Sequence, residues 1–335
     1  MRFAIVGATG IVGREMITCL EKRHLKIDQL RLAASPRSIG KIIKTAYGKI
    51  TVEGISEELF KNSDIALFAA GSEISLKWAK KAATLGCIVI DNSSCFRYDP
   101  KVPLIIPEIN PKDIFKHPGI IANPNCTTAI AAIPLWEIEK HFGLKKIIIS
   151  TYQAVSGAGK EAMEELEKQT CDYCQGKKLE IKNFQHQILF NLIPHIDKFQ
   201  ENNYTKEEMK VVWETRKIFS RPNISISCTA VRVPILRAHS ESIVVETKKK
   251  ITPKKIREIF KKTSGIKIVD DPKKNSYPMP LFASQNFEVQ VGRIRQSLIF
   301  GDYGLEFFVS GDQLLKGAAL NAVQIAELLI KRISK

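Results

Sequence analysis

The sequence lacks any long apolar run. No stretch approaches the roughly 18 uninterrupted apolar residues that a bilayer-spanning helix needs. Residues 1–13 hold one arginine and a short apolar run that glycines interrupt, so they do not match a secretory signal peptide. This segment is typical of a strand that enters a tight turn. We therefore expect neither a membrane segment nor a membrane partner.

Cysteine is scarce and odd in number. Seven cysteines give no even set for the disulfide framework that small secreted domains use. Cys171 and Cys174 have a spacing found in metal and redox sites, but no second pair and no histidine cluster accompanies them, so the sequence favours neither a metal nor a disulfide role for them. The expected compartment is the reducing cytoplasm.

Internal repeats, low-complexity tracts and linkers rich in Pro, Gly or Ser are also missing. With 44% hydrophobic and 26% charged residues, the composition is that of an ordinary globular protein. The length of 335 residues exceeds what one hydrophobic core usually serves. Two domains joined by structured connections are therefore predicted.

Acidic residues are too few to balance the basic ones, and the formal net charge is +16. Such a charge could bind nucleic acid, because Lys and Arg neutralise phosphates. The basic residues, however, are spread along helical segments such as residues 205–219 and alternate with acids. We predict no nucleic-acid partner and expect the positive potential to steer small anionic substrates.

The first third of the chain alternates short apolar runs with helical patterns. The apolar runs lie at residues 2–6, 29–34, 64–70 and 87–91. Strands that alternate with helices indicate a parallel sheet with right-handed crossovers. The predicted fold class is α/β, with an N-terminal Rossmann-type dinucleotide-binding domain.

From about residue 145 the pattern changes to longer strands mixed with helices. The strand candidates are residues 145–155, 225–236, 241–248, 287–295 and 304–311, and the helix candidates are residues 159–168, 205–219 and 252–263. This mixture favours an α+β domain whose mainly antiparallel sheet has one face available for packing.

Residues 314–333 are helical by periodicity and rich in Ala and Leu, and they could return to cover the first domain. We therefore predict a first domain that consists of residues 1–125 plus 314–335. The second domain would span residues 126–313.

A glycine-rich turn follows the first predicted strand. Gly7, Gly10 and Gly13 lead into a helix that begins at about Ile11. Glycines let the backbone approach a pyrophosphate, and the start of a helix offers free N–H groups and a partial positive charge. The segment predicts a dinucleotide site, with a merely tight strand–helix turn as the alternative.

The end of the second strand favours NADP over NAD. An NAD site commonly places an acid here to hold the ribose 2′-hydroxyl, whereas this chain has Ser35, Arg37 and Ser38. Hydroxyls beside an arginine suit a 2′-phosphate. The alternative is that Arg37 is only a surface charge.

Cys126 is the candidate nucleophile. It stands at the predicted start of a helix, after Asn123 and Asn125. The helix dipole and unpaired N–H donors stabilise a thiolate at such a position, and flanking Asn and Thr residues favour a capped helix start. An inert buried thiol is the alternative.

A cysteine nucleophile needs a partner that moves protons. His239 is the best candidate, because Arg232, Arg237 and several hydroxyls gather around it near a strand end. The other five histidines lack such neighbours.

A series of motifs together resembles the aspartate-semialdehyde dehydrogenases, and the resemblance covers nearly the whole chain. In order, the motifs are GATGIVG (7–13), SSCFRYDP (93–100), NPNCTT (123–128), TYQAVSGAGK (151–160), EEMK (207–210), RVPILRAHSES (232–242) and GDQLLKGAA (311–319).

The resemblance implies a reversible reaction. L-aspartyl 4-phosphate and NADPH would give L-aspartate 4-semialdehyde, inorganic phosphate and NADP, in the biosynthesis of lysine, methionine, threonine and diaminopimelate. It also implies that the second domain serves catalysis and dimerisation, in a homodimer or homotetramer.

The resemblance also assigns roles. Cys126 would carry an acyl thioester, His239 would act as acid/base, and Gln153 would orient the thioester carbonyl. Arg232 would hold the substrate carboxylate through its planar fork, and Glu207 would face the substrate ammonium group.

Two further sets of residues follow from the resemblance and the glycine-rich turn. The phosphate site would be lined by Arg97, Asn125 and Lys210. The cofactor contacts would be Gly7, Thr9, Gly10, Ile11, Val12, Gly13, Ser35, Arg37, Ser38, Ser156, Gly157 and Gln313.

Three alternatives stay open. N-acetyl-γ-glutamyl-phosphate reductase shares the chemistry, but its substrate has no ammonium charge, whereas Glu207 with Arg232 suits a free amino acid. Glyceraldehyde-3-phosphate dehydrogenase combines the same reactive groups without these motifs. A catalytically inactive paralogue would have little reason to keep both Cys126 and His239.

Overall fold

The computed structural model describes residues 1–333, with side chains through residue 331. The chain divides into two compact units. Unit 1 consists of residues 1–125 and the described part of the segment that begins at Gly317, and unit 2 consists of residues 126–316.

Strands and helices alternate through unit 1. In chain order they are β1 (Arg2–Val6), α1 (Ile11–Lys22), β2 (Gln29–Ala33), β3 (Ile42–Thr45), β4 (Gly48–Thr51), α2 (Glu57–Lys61), β5 (Ile65–Phe68), α3 (Ser72–Thr84), β6 (Ile88–Asp91), β7 (Ile120–Ala122) and the C-terminal α9 (Leu320–Ile333).

A five-stranded sheet in the order β2-β1-β5-β6-β7 forms the centre of unit 1, and all its strand pairs are parallel. Residues 3–6 of the interior strand β1 have no exposed surface. Continuous apolar strands of this kind are required when helices cover both faces of a sheet. The predicted parallel sheet is confirmed.

The C-terminal helix α9 packs within unit 1. Asn321 donates a 2.9 Å hydrogen bond to the carbonyl of Ile105 and a 2.7 Å hydrogen bond to Asn123. The sequence places the return to the first domain at residue 314, and unit 1 resumes at Gly317. Residues 334–335 of the predicted segment lie outside the described residues.

Unit 1 also contains an antiparallel hairpin of β3 and β4, which the sequence pattern did not predict. Most of its residues are exposed or half-buried, and only Ile43 is fully buried. Both faces of this short hairpin are largely exposed to solvent, so its sequence has little hydrophobic periodicity. The periodicity of the sequence therefore did not predict it.

The glycine-rich turn is built on close backbone contacts. Gly7 has φ +87° and donates a 2.8 Å hydrogen bond to the carbonyl of Ala33. A Cβ atom on Gly13 would lie 2.2 Å from the carbonyl oxygen of Gly7, whereas one on Gly10 would lie 3.4 Å from the same atom. Only the first of these distances is sterically impossible without backbone movement.

Unit 2 is an α+β unit. In chain order its elements are α4 (Cys126–Phe142), β8 (Leu144–Gln153), α5 (Lys160–Cys174), α6 (Lys206–Ile218), β9 (Ser225–Arg232), β10 (His239–Thr247), α7 (Pro253–Phe260), β11 (Ile266–Ile268), α8 (Pro280–Ala283), β12 (Val289–Ser297) and β13 (Gly301–Gly311).

The sheet of unit 2 has six strands in the order β11-β12-β13-β10-β8-β9. The three central pairs are antiparallel and the two outer pairs are parallel. The mainly antiparallel sheet is as predicted.

The two faces of this sheet differ. One face packs on α4, which is buried along most of its length, as expected for a helix that is apolar all round. The opposite face leaves Ile148 and Tyr152 of β8 exposed, with Val244 and Phe308 half-buried beside them. No helix in the part of the chain that the structure describes is long and apolar enough to cross a membrane.

The contrast between two glycines gives a test of the turn. Gly13→Ala should lower the free energy of unfolding by about 2 kcal/mol or more, because the new methyl group forces the backbone apart. Gly10→Ala, the matched control, should cost about 1 kcal/mol at most, since its methyl group meets only an ordinary contact and alanine is merely a poorer N-cap residue. Urea unfolding without cofactor measures both. Equal losses would mean that the close approach at Gly13 is wrong.

Candidate functional site

Three strand ends meet at one edge of the unit 2 sheet. The last residues of β8 and β9, Gln153 and Arg232, are register partners in a parallel pair. β10 runs antiparallel to β8 with Ser240 opposite Tyr152, so its first residue, His239, lies at the same edge. Pairing between strands that are distant in sequence thus gathers three predicted site residues.

His239 is fully buried, and the hydrogen bond to its ring defines its tautomer. The backbone N–H of Ala154 donates to Nδ1 at 3.0 Å, so the neutral ring carries its proton on Nε2. Burial, with a smaller contribution from the charge of Arg232, lowers the pKa of His239 to about 3, and Glu207 acts in the opposite direction. The imidazole is therefore a neutral Nε2–H donor.

The Gln153 amide is held at both ends. Thr151 donates its hydroxyl to Oε1 at 3.1 Å, and Nε2 donates to a carboxylate oxygen of Glu207 at 3.2 Å. Nε2 also lies 3.5 Å from Nε2 of His239. Because both nitrogens carry hydrogen, this approach is a contact and not a hydrogen bond, and the two donors face the same space.

Glu207 and Lys210 lie one turn apart on α6, whose start is fixed by a capping box between Thr205 and Glu208. Lys210 donates to Glu207 and to Asp197 at 2.8 Å each. The side chains of Glu207 and Lys210 are 8% and 13% exposed, so this is not an ordinary surface pair.

The ionisation of Lys210 reflects these contacts. Burial would lower the pKa of Lys210, but the charges of Glu207 and Asp197 and their hydrogen bonds to the ammonium group outweigh it and raise the pKa above its ordinary value. Lys210 is therefore a fixed cation. The carboxylate of Asp197 has a lowered pKa, because the bonds and charge of Lys210 overcome its own desolvation.

The guanidinium of Arg232 is buried. Its Nη1 donates a 2.6 Å hydrogen bond to the carbonyl of Ala154. Burial lowers the pKa of Arg232, while Glu207 and a Cys126 thiolate act in the opposite direction. The sulfur of Cys126 is thus within electrostatic reach of Arg232. Cys126 itself is half-buried and is the first residue of α4, at the predicted helix start.

Gly157 lies against this cluster, and its lack of a side chain allows the close contact. A Cβ atom there would lie 3.0 Å from Nη1 of Arg232 and 3.1–3.2 Å from Cε1 and Nε2 of His239. The backbone of residue 157 therefore packs directly on the imidazole and the guanidinium, and a larger residue would displace one of them.

Gln313 and Ser156 contact each other within unit 2. Gln313 donates to the hydroxyl of Ser156, and its Oε1 accepts a 2.8 Å hydrogen bond from the backbone of Ala238. Ala238 has φ +71°, a conformation that costs an L residue about 1–2 kcal/mol. The Gln313 amide thus holds the strained residue that precedes His239.

In unit 1 the predicted cofactor residues surround the glycine-rich turn. Helix α1 begins after Gly10 without a side-chain cap, which suits an anion at its N–H groups. The hydroxyl of Thr9 donates to that of Ser38 at 3.2 Å, which ties the turn to the loop after β2. Ser35 and Arg37 in that loop are exposed.

Arg97 and Asn125 belong to unit 1 and are mostly buried. Nε of Arg97 donates to the carbonyl of Asn123 at 2.8 Å, and Nη2 donates to that of Asn92 at 2.7 Å. These bonds fix the guanidinium against the backbone. The predicted phosphate-site roles of Arg97 and Asn125 remain predictions.

Sequence reasoning missed several polar groups at these sites. Thr151 and Asp197 hold Gln153 and Lys210, and neither could be found without the strand pairing and the loop contact. Asn92 has both amide atoms buried without a partner among the described residues. Its signal was present, because it directly follows a predicted strand at the edge where nucleotides bind in parallel sheets.

Comparison with known proteins gives matches over both units. A family model described as Semialdehyde dehydrogenase, NAD binding domain, matches residues 2–117, and one described as Semialdehyde dehydrogenase, dimerisation domain, matches residues 135–316. Together they account for most of the chain.

Relatives match over nearly the full length. An aspartate-semialdehyde dehydrogenase of Aquifex aeolicus is 51% identical over 334 residues, covering 98% of each chain. One of Bacillus subtilis is 45% identical over 339 residues, covering 99% of this chain and 98% of the relative. The structure of aspartate semialdehyde dehydrogenase II of Vibrio cholerae complexed with ASA has a TM-score of 0.96 at 43% identity, covering 98% of each chain. The chain belongs to the aspartate-semialdehyde dehydrogenase family, whose members are oxidoreductases of amino-acid biosynthesis.

Proposed function

We propose that the chain catalyses the reversible, NADP-dependent conversion of L-aspartyl 4-phosphate to L-aspartate 4-semialdehyde and phosphate, through a thioester on Cys126. Family membership supports the overall reaction. The observation that carries the site assignment is the buried arrangement of Glu207 and Arg232 around Gln153 and His239.

This arrangement suits a free amino acid. The Nη1 group of Arg232 is committed to Ala154, while Nε and Nη2 have no hydrogen-bond partner among the described residues, so they can receive a carboxylate as a fork. Glu207 supplies the opposite charge for an ammonium group. An N-acetylated substrate would have no charge to offer Glu207, and this disfavours the reductase of acetylglutamyl phosphate.

Cys126 would act as the nucleophile. The start of α4 and the positive charge of Arg232 favour its thiolate form. Its sulfur bonds to the acyl carbon while the carbon–oxygen bond to phosphate breaks, which leaves a thioester. When bound, the nicotinamide supplies or accepts the hydride. The carbon–sulfur bond then breaks, and Cys126 returns to its thiolate form as the aldehyde leaves.

His239 and Gln153 would stabilise the oxygen that becomes negative in each tetrahedral adduct. Both present an N–H group towards the same space, and their orientations are fixed by Ala154 and Thr151. Oriented donors in a buried site are worth about 3–4 kcal/mol to such an oxyanion. The departing phosphate must gain a proton to leave as hydrogen phosphate, so the acid/base role that the resemblance gives His239 remains part of this proposal.

Lys210 would contribute to the phosphate site as a permanent cation, and we retain Arg97 and Asn125 as its other predicted members. For NADP, the residues present fit the cofactor. Uncapped N–H groups at α1 suit the pyrophosphate, and exposed Arg37 beside Ser35 suits a 2′-phosphate. Ser156, Gly157 and Gln313 remain predicted cofactor contacts.

We also propose a homodimer formed by unit 2. The sheet face that exposes Ile148 and Tyr152 is a broad surface with apolar residues, and the matching family model is described as a dimerisation domain. A second copy of this chain is the occupant that the proposal commits to.

The proposed reaction predicts that NADP reduction by aspartate semialdehyde requires phosphate, and that arsenate replaces phosphate. Cys126→Ala should lower turnover by roughly 10³-fold or more, because no other group can carry the acyl intermediate. Cys171→Ser, which removes an exposed thiol, is the matched control and should keep full turnover. Absorbance at the nicotinamide band follows each reaction.

Two outcomes would contradict this account. Near-normal turnover of Cys126→Ala would remove the nucleophile assignment. Faster reduction with N-acetylglutamate semialdehyde than with aspartate semialdehyde would favour the alternative reductase.

The cofactor proposal predicts that Arg37→Ala lowers the ratio of kcat/KM for NADP to that for NAD by about 10–100-fold, the usual value of one charged hydrogen bond. Lys41→Ala removes another exposed cation in the same loop region and is the control for net charge. If both variants leave the ratio unchanged, Arg37 is only a surface charge and does not recognise the 2′-phosphate.

A further inference from the structure

The last turn of α5 carries two exposed thiols that the proposed reaction does not use. Cys171 and Cys174 are both exposed, whereas the other cysteines are buried or half-buried. Helix α5 ends at Cys174. The two cysteines are three positions apart in the chain, so both side chains lie on the same side of the helix.

The helix geometry brings the two thiols almost to bonding distance. Residues three apart in an α-helix have Cα atoms about 5 Å apart, which lies inside the range of roughly 4.4–6.8 Å found in disulfides. Their Cβ atoms are about 5–6 Å apart, while disulfides hold them at about 3.5–4.5 Å. A bond therefore requires the turn to close by about 1–2 Å.

The end of α5 can accommodate this movement. Beyond Cys174 the chain turns at Gly176, which has φ +64°, and residues 175–178 are exposed. The backbone at Cys171 is linked to the end of the helix by a hydrogen bond from the N–H of Gln175 to the carbonyl of Cys171, at 3.2 Å. Between them, Asp172 is buried and bonds to Lys168 on its own helix, and the ring of Tyr173 packs on Phe190. Closure would therefore draw on movement of Cys174 and the exposed residues after it.

We propose that Cys171 and Cys174 form a redox-modification site, a dithiol that closes to an intramolecular disulfide at the expense of a low-molecular-weight disulfide. One thiolate attacks a sulfur of that reagent, which forms a mixed disulfide and releases one thiol. The second thiolate then attacks the protein sulfur of the mixed disulfide and releases the other thiol. The two cysteines lose two electrons and two protons, and the reagent gains them.

A site for a soft metal ion is a less well supported interpretation of the same two cysteines. Among the described residues, no group of three or more Cys, His, Asp or Glu side chains is placed to hold a metal ion, so a metal would have only the two sulfurs. A strained and exposed disulfide is readily reduced. Closure would thus be transient in a reducing compartment, which is the usual behaviour of regulatory cysteine pairs there.

The test uses the full-length protein and glutathione disulfide. Cleavage after Lys168 and Lys177 places both cysteines on one tryptic peptide, residues 169–177. After treatment of the native protein, this peptide should lose both alkylatable thiols and two hydrogens without gaining glutathione. Mild reduction with a monothiol should restore both thiols. Cys126, with no cysteine within three residues, should give at most a mixed disulfide.

The single variants Cys171→Ser and Cys174→Ser are the matched controls. Each should stop at a glutathione adduct on the remaining thiol, which shows that the attack occurs and that closure needs the second sulfur. The proposal is overturned if the native peptide keeps both thiols under conditions that modify the single variants. It is equally overturned if the peptide carries two glutathione groups or is linked only to a second chain.

Discussion

The hydrogen bond from the Ala154 N–H to Nδ1 of His239 is the interaction on which the rest of the site depends. It allows only one neutral tautomer, and the burial of the ring makes the charged form costly. Because the carbonyl of the same residue accepts a hydrogen bond from Nη1 of Arg232, Ala154 orients both the imidazole and the guanidinium. Gly157 then packs on both groups and leaves no space for a different arrangement. A single stretch of backbone after β8 therefore sets the direction of the main donors.

The charges of this cluster must be balanced, because an uncompensated buried charge is strongly destabilising. Lys210 lies between Glu207 and Asp197, so two carboxylates share one ammonium group. Arg232 has no carboxylate at salt-bridge distance among the described residues, and Glu207 and Cys126 reach it only through space. A substrate carboxylate would complete this pairing. Binding and catalysis then draw on the same electrostatic arrangement, in which the bound amino acid is one of the counter-ions.

Much of this could be predicted from sequence, for identifiable reasons. The parallel sheet followed from alternating periodicities, and the glycine-rich turn followed from residue types that tolerate close backbone contacts. The position of Cys126 at a helix start also needed only local pattern. Thr151, Asp197 and the hairpin of β3 and β4 could not be found in this way. The roles of Thr151 and Asp197 arise from contacts between segments that are distant in sequence. The hairpin is largely exposed on both faces and has no clear hydrophobic periodicity.

The neutral state of His239 was likewise beyond the sequence, since it depends on complete burial and on one backbone donor. Nitrogen-15 NMR of histidine-labelled protein, titrated from pH 8 to pH 5, measures it directly. Because the pKa is lowered to about 3, we predict that His239 keeps an unprotonated Nδ1 and a protonated Nε2 across this range. Protonation of both nitrogens of His239 above pH 5, or a proton on Nδ1, would contradict it.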